Sequence, residues 1–128
     1  MHQATAIRND DIPVQQTPWG SLQWLVNGKT APGTAMTVGR VTFKPGQSNP
    51  LHSHPNCQEV LFVVEGVIEH SLPQGGKVRL EAGDCIVLPQ DRAHEARNIG
   101  DTEAVVIVTF NTPDRKTDVQ EAGGESCR

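Results

Sequence analysis

Residues Gly46 to Gly66 read Gly-Gln-Ser-Asn-Pro-Leu-His-Ser-His-Pro-Asn-Cys-Gln-Glu-Val-Leu-Phe-Val-Val-Glu-Gly. His52 and His54 are one residue apart, so in an extended segment both imidazoles project to the same side, within reach of one ion. Pro50 and Pro55 stiffen the backbone on either side of the pair. Glu59 then opens a run in which Glu59, Leu61 and Val63 alternate with Val60, Phe62 and Val64, which predicts a central strand apolar on both faces. A carboxylate at the head of such a run needs a partner. Two imidazole nitrogens and a carboxylate oxygen suit a divalent transition metal better than calcium or magnesium.

Working outward, Pro45-Gly46 ends a preceding strand, Ala35 to Lys44. Met36 and Val38 occupy even positions there, and Val41 and Phe43 odd ones. A one-residue bulge at Gly39-Arg40 would keep all four on the buried face. Trp19 to Val26 predicts another strand, closed by the Asn27-Gly28 turn. Downstream, Val67 to Leu72 and Lys77 to Leu80 flank Gln74-Gly75-Gly76 as a hairpin. Cys85 to Leu88 is a short strand stopped by Pro89, His94, Ala96 and Asn98 share one face, and Ala104 to Phe110 is a final strand. No apolar period of three and four persists over two turns, so the expected class is all-β, a sandwich or barrel. Residues 1–18 read as an arm or edge strand, 19–112 as the barrel, and 113–128 as a polar tail expected to be mobile.

A chain of 128 residues is the size of one domain. The formal charge of −4, with no Lys/Arg cluster, argues against nucleic acid as a partner. The apolar runs are strand-sized, far below the roughly 20 residues of a membrane helix. No export signal is visible at the N-terminus, so the expected compartment is the cytoplasm. Cys57, Cys85 and Cys127 fit neither a disulfide framework nor a Cys-rich zinc site, and reduced thiols are expected.

Two spacings connect these pieces. The first is Gly46, five residues, His52, one, His54, four, Glu59, six, Gly66; the second is Gly83, five residues, Pro89, one, Asp91, two, His94, three, Asn98. In this order they resemble the two motifs of the cupin superfamily. The first matches at every fixed position, and the second departs only at Asp91, where the family usually has Gly. Asp tolerates the left-handed turn conformation better than most residues.

The resemblance implies an antiparallel jelly-roll β-barrel, a double-stranded β-helix, with His52, His54, Glu59 and His94 as the ligands of one divalent transition metal per chain. Iron, manganese, nickel, copper and zinc all suit such a set. It further implies a metal-dependent enzyme acting on a small molecule, with dioxygenase-type oxidation expected first. Decarboxylation, isomerisation or lyase chemistry at a Lewis-acidic metal is the alternative, and a binding or sensing module without turnover a third. The chain has no Tyr, which removes cupin mechanisms built on a Tyr base or a Cys-Tyr crosslink. Glu59 leaving the metal transiently, His70, Glu95 or hydroxide at the metal remain for acid–base work. Arg40, Cys57 and Arg92 are the candidates to line the substrate pocket, with Gln58 a further polar residue for the mouth. Trp19 and Trp24 read first as core or interface, and a homodimer covering exposed strand edges is expected.

Overall fold

The computed structural model describes residues 3–120. Its strands are β1 (Gln15–Thr17), β2 (Gly20–Val26), β3 (Thr37–Phe43), β4 (His52–Ser53), β5 (Glu59–Glu65), β6 (Val67–Ser71), β7 (Lys77–Glu81), β8 (Cys85–Leu88), β9 (Ala96–Asn98), β10 (Ala104–Phe110) and β11 (Asp118–Val119). A 3-10 turn at Asn9–Asp11 is the one helical element among the described residues. None of it is long and apolar enough to cross a membrane. A six-stranded sheet in the order β1-β2-β3-β10-β5-β8 faces a three-stranded sheet, β7-β6-β9, and β11 pairs with β4. All pairings are antiparallel. This is the expected jelly roll.

Alternation builds it. Along β10, Ala104, Val106, Val108 and Phe110 are buried, and they meet Val41 and Phe43 of β3 and Leu61 and Val63 of β5. Ile68, Leu80 and Ala96 close the core from the smaller sheet. Each fully buried Val, Leu, Ile or Phe contributes about 1.5–3 kcal/mol. Asn98, the last residue of the second motif, is structural. Its amide donates to the Phe43 and Thr102 carbonyls and accepts from the Gly100 amide.

Three expectations change. β3 carries no bulge at Gly39-Arg40, because its pairing with β10 runs unbroken from Phe43 to Thr37. The irregularity lies in β2, between Trp24 and Val26. Gly39 faces inward, where an added Cβ would sit 2.5 Å from the Trp24 ring, so the glycine makes room for an indole. Second, β5 lies between β10 and β8 as expected, but its outer face is open, with Phe62 and Val64 exposed. An antiparallel sheet can leave one face in water even when that face is apolar.

The arm pairs at the sheet edge through β1, and the turn before it lies over Arg40. Third, residues 113–120 are docked. The Asn56 amide donates to the Asp114 carbonyl, the Lys116 amide to Asn56 Oδ1, and the Gln120 amide to the Leu51 carbonyl. The polar composition of this segment reflects hydrogen bonding to the barrel rim. Residues 121–128, with Cys127, lie outside the described residues; Cys57 and Cys85 are free thiols.

Candidate metal centre

The two motifs meet through their backbones. The His52 amide donates to the His94 carbonyl at 3.0 Å, and the His94 amide to the His52 carbonyl at 2.8 Å. This antiparallel bridge brings the two rings to 4.4 Å between centroids. Asp91, at φ +61°, is the described non-glycine residue in the left-handed region. Its amide donates to the His54 carbonyl, so the position that departs from the family pattern still makes the turn carrying His94. Glu59 enters from the first position of β5, 5% exposed.

His52, His54, Glu59 and His94 each present one donor atom, and these atoms lie within 4.8 Å of one another. Each imidazole has its Nδ1 against a backbone carbonyl: Pro50 at 2.6 Å for His52, Lys116 at 2.9 Å for His54, and Arg92 at 3.0 Å for His94. A carbonyl only accepts, so in each neutral ring the proton sits on Nδ1 and the Nε2 lone pair points inward. Metal-ligating histidines are held in this way.

The inner atoms bear out the fit to a cation. Glu59 Oε1 lies 3.1 Å from His94 Nε2 and 3.3 Å from His54 Nε2. His54 Nε2 is buried without a hydrogen-bond partner. Three imidazole nitrogens and a buried carboxylate facing one another need positive charge among them, either a proton on an imidazole or a metal ion, and a divalent transition metal matches this donor set. Burial alone would raise the Glu59 carboxyl pKa. With no metal bound, His54 and His94 beside it, in which a proton on Nε2 takes the place of the cation, reverse that and hold it well below the usual carboxylate range. Burial, reinforced by His94, lowers His52 to about 4, which keeps this imidazole neutral and ready to ligate near neutral pH.

The cluster lines a cavity of about 110 Å³ whose walls are part polar and part apolar, with Trp19, Trp24, Val106 and Phe110 among the apolar residues. Both tryptophans therefore serve the cavity wall while packing on the core. His70 also lines it, 1% exposed, its ring stacked on His94 at 5.6 Å and its Nδ1 bonded to the Ser71 carbonyl. Burial lowers its pKa.

The three pocket residues expected from sequence do not reach the cavity. Arg40 lies on the outer face of β3 and donates to Asn9 Oδ1 and Gln23 Oε1, pinning the N-terminal turn. Cys57 is 2% exposed within the core, where burial and the nearby Glu59 push its thiol pKa up, so it stays protonated. The side chain of Arg92 is exposed, and only its carbonyl serves the site, by orienting His94. Gln58 is exposed, and Glu95 accepts from Ser48 instead of lining the cavity.

Sequence reasoning missed Arg115 and Thr117. They reach the cavity because β11 pairs with β4, the strand of His52. The Arg115 guanidinium lies 3.7 Å from the Trp24 ring centroid, and its Nη1 donates to Thr117 Oγ1 at 2.6 Å.

Comparison with known proteins agrees with this geometry. The family model described as Cupin domain matches residues 39–110. Oxalate oxidase 1 of Hordeum vulgare is 36% identical over 106 residues, 75% of this chain and 53% of that protein. Germin-like protein subfamily 2 member 1 of Arabidopsis thaliana is 35% identical over 101 residues, 73% and 46% of the two chains. The chain thus spans about half the length of the curated relatives it matches. A solved oxalate oxidase in complex with glycolate superposes with a TM-score of 0.72 at 30% identity, over 81% of this chain and 57% of that one. The polyketide cyclase RemF from Streptomyces resistomycificus shares the fold, with a TM-score of 0.77 at 16% identity over 95% and 89% of the two chains. The matched segment runs through both histidine motifs and more than half of the residues, and the chain belongs to the cupin domain family.

Proposed function

We propose that this protein is a metal-dependent enzyme that oxidises a small organic acid with dioxygen as the electron acceptor. The observation that carries the reading is the convergence of three Nε2 lone pairs and one buried carboxylate at a small cavity. On the measure by which a single water takes about 10–15 Å³, about 110 Å³ holds roughly seven to eleven water-sized groups, room enough for a small organic acid. The likeness to oxalate oxidases, one of them solved with glycolate, supports the same class of substrate.

A divalent transition metal held by His52, His54, Glu59 and His94 would supply Lewis acidity and, if redox-active, a path for electrons to dioxygen. The residues of the chain do the rest. The carbonyls of Pro50, Lys116 and Arg92 fix the tautomers and ring planes of the three ligand histidines. The apolar part of the wall lowers the local dielectric, which strengthens the electrostatic attraction of an anionic substrate to the cation. His70 is the group placed to move a proton. With Nδ1–H donating to Ser71, its Nε2 accepts one and returns it. Glu59 is held ionised and is reserved for the metal.

Oxygen uptake by the iron-, manganese-, nickel-, copper- and zinc-loaded forms, with oxalate and with glycolate, tests the proposal. At least one redox-active form is expected to consume oxygen in proportion to acid lost. Carbon dioxide released from oxalate under strict anaerobiosis, with no oxygen consumed in air, would replace oxidation by metal-assisted decarboxylation. Product analysis with labelled dioxygen separates dioxygenase-type incorporation from release of reduced oxygen.

A further inference from the structure

The two sides of the cavity differ in chemistry because they come from different parts of the fold. One side, its floor, is the inner face of the six-stranded sheet, where Leu22 of β2, Val41 and Phe43 of β3, and Val106, Val108 and Phe110 of β10 line it. Among the described residues, polar lining from that sheet is confined to Gln15, in the edge strand β1, and Glu59, at the end of β5. Trp24 extends the floor. A Cβ on Gly39 would lie 2.5 Å from its indole, so the ring rests against the backbone of β3. The opposite side is mainly polar, with His52 from β4, His70 from β6, and Asn49, His54, His94 and Thr117 from the segments around them. Arg115 sits where the two sides meet, over the Trp24 and Phe110 rings and bonded to Thr117 Oγ1. A ligand whose polar group reaches the histidine cluster therefore has hydrocarbon side chains behind it. Such a cavity suits a ligand with the same division, since burying apolar surface is favourable and burying a polar group without a partner is not.

We propose that the ligand of this cavity is a monocarboxylic acid with a short hydrocarbon body, its carboxylate directed to the cluster and its body laid on the inner face of the large sheet. The inference rests on the small-acid reading above and goes beyond it by naming the class, in preference to glycolate, which has one methylene to offer that floor. Of the roughly seven to eleven water-sized groups that about 110 Å³ accommodates, a carboxylate and one hydroxyl take about four, which leaves room for roughly three to seven carbons. Val106, 0% exposed in the middle of β10, and Leu22 beside it on the floor are the side chains that set the preference.

Titration with glycolate, lactate, 2-hydroxybutyrate and 2-hydroxyvalerate isolates the body, because all four present the same carboxylate and hydroxyl. Zinc-loaded protein is used, since zinc has no redox chemistry and binding is read without turnover. Metal content and melting are measured first for each protein. Protein-observed NMR is expected to show affinity rising by roughly fourfold for each added carbon until the cavity is full. Val106→Thr keeps the shape of the side chain and puts a hydroxyl into the floor, and it should shrink the ratio of 2-hydroxyvalerate to glycolate affinity by roughly threefold or more. Leu22→Asn makes the same change at a half-buried position if Val106→Thr does not fold. Affinity that is level or falls from glycolate to 2-hydroxybutyrate overturns the assignment, as does an unchanged ratio in the folded variants. If wild type takes up no metal, the proposed function fails, and the floor is judged on metal-free protein with 1-propanol to 1-hexanol, which need no cation. There, affinity that rises with chain length and is reduced in the variants supports the apolar floor, and level affinity overturns it.

Discussion

Replacing Glu59 by Gln keeps the shape of the side chain and removes the one anionic donor of the cluster. The side chain is 5% exposed and begins β5, so the variant should fold with the same pairing to β8 and β10. What changes is affinity for a cation, because the three imidazoles left behind are neutral ligands. A metal at 100 times its dissociation constant stabilises a protein by about 2.7 kcal/mol. With about 2.1 cal/mol/K of unfolding entropy per residue, a chain of 128 residues gains roughly 10 °C in Tm from that binding. Loss of the carboxylate should weaken binding by roughly 100-fold, at least the scale seen when partners of ligands are removed. At the same metal concentration the variant then keeps about 0.4 kcal/mol, a shift of roughly 1–2 °C. Thermal melts at pH 7.5, each protein compared with its own metal-free form, read this directly. An undiminished metal-induced shift in Glu59→Gln would show that the carboxylate is not a ligand.

Acidification should destabilise the metal-free protein. His52 is lowered from 6.5 to about 4, so between those values the unfolded chain binds more protons than the folded one and stability falls as pH falls. Glu59, also lowered, extends the loss below about 4.5, and a melting temperature that stays flat or rises from pH 7 to pH 4 contradicts this. A chain ending at Thr112 lacks the Lys116 carbonyl that holds His54 and should lose roughly 10- to 100-fold in metal affinity while staying folded, as titration with a competing chelator would show. Gly39→Ala forces a methyl to within 2.5 Å of the Trp24 ring and should cost about 1–3 kcal/mol by denaturant unfolding. Arg92→Ala should leave both metal content and acid binding unchanged, since its side chain is exposed and the His94 contact uses its carbonyl.

The candidate ligand set was legible because the residues that carry it fall in two short motifs, each local in sequence. His52 and His54 sit between two prolines, Glu59 opens the next strand, and Asp91 makes the turn that returns His94. A spacing pattern records such features. The strands were legible through alternation, and alternation also holds the answer to one misreading. Val41 and Phe43 point inward, so Arg40 between Gly39 and Val41 must point outward, away from the mouth where it was expected. The bulge expected at Gly39 followed from forcing Met36 and Val38 inward as well, when the inward volume there belongs to Trp24.

The cavity wall was not legible for a different reason. Arg115 and Thr117 lie in a segment whose composition resembles solvated tail, and their position depends on backbone pairing between β11 and β4, more than sixty residues apart in sequence. Polar residues satisfied by a distant barrel rim and polar residues satisfied by water share one composition. The nearest signal is β4 itself: two residues carrying a ligand histidine, with backbone groups that need a partner. Cys57 illustrates the converse. It lies between the ligands in sequence, yet the turn before β5 directs it into the core.

The central claim is that His52, His54, Glu59 and His94 together hold one divalent metal ion. Elemental analysis of the purified protein beside His94→Ala tests it most directly. The account predicts close to one equivalent of a transition metal per chain in the wild type. It predicts most of that metal lost in His94→Ala, with the circular dichroism of the β-barrel retained. Equal metal content in two folded proteins would contradict it.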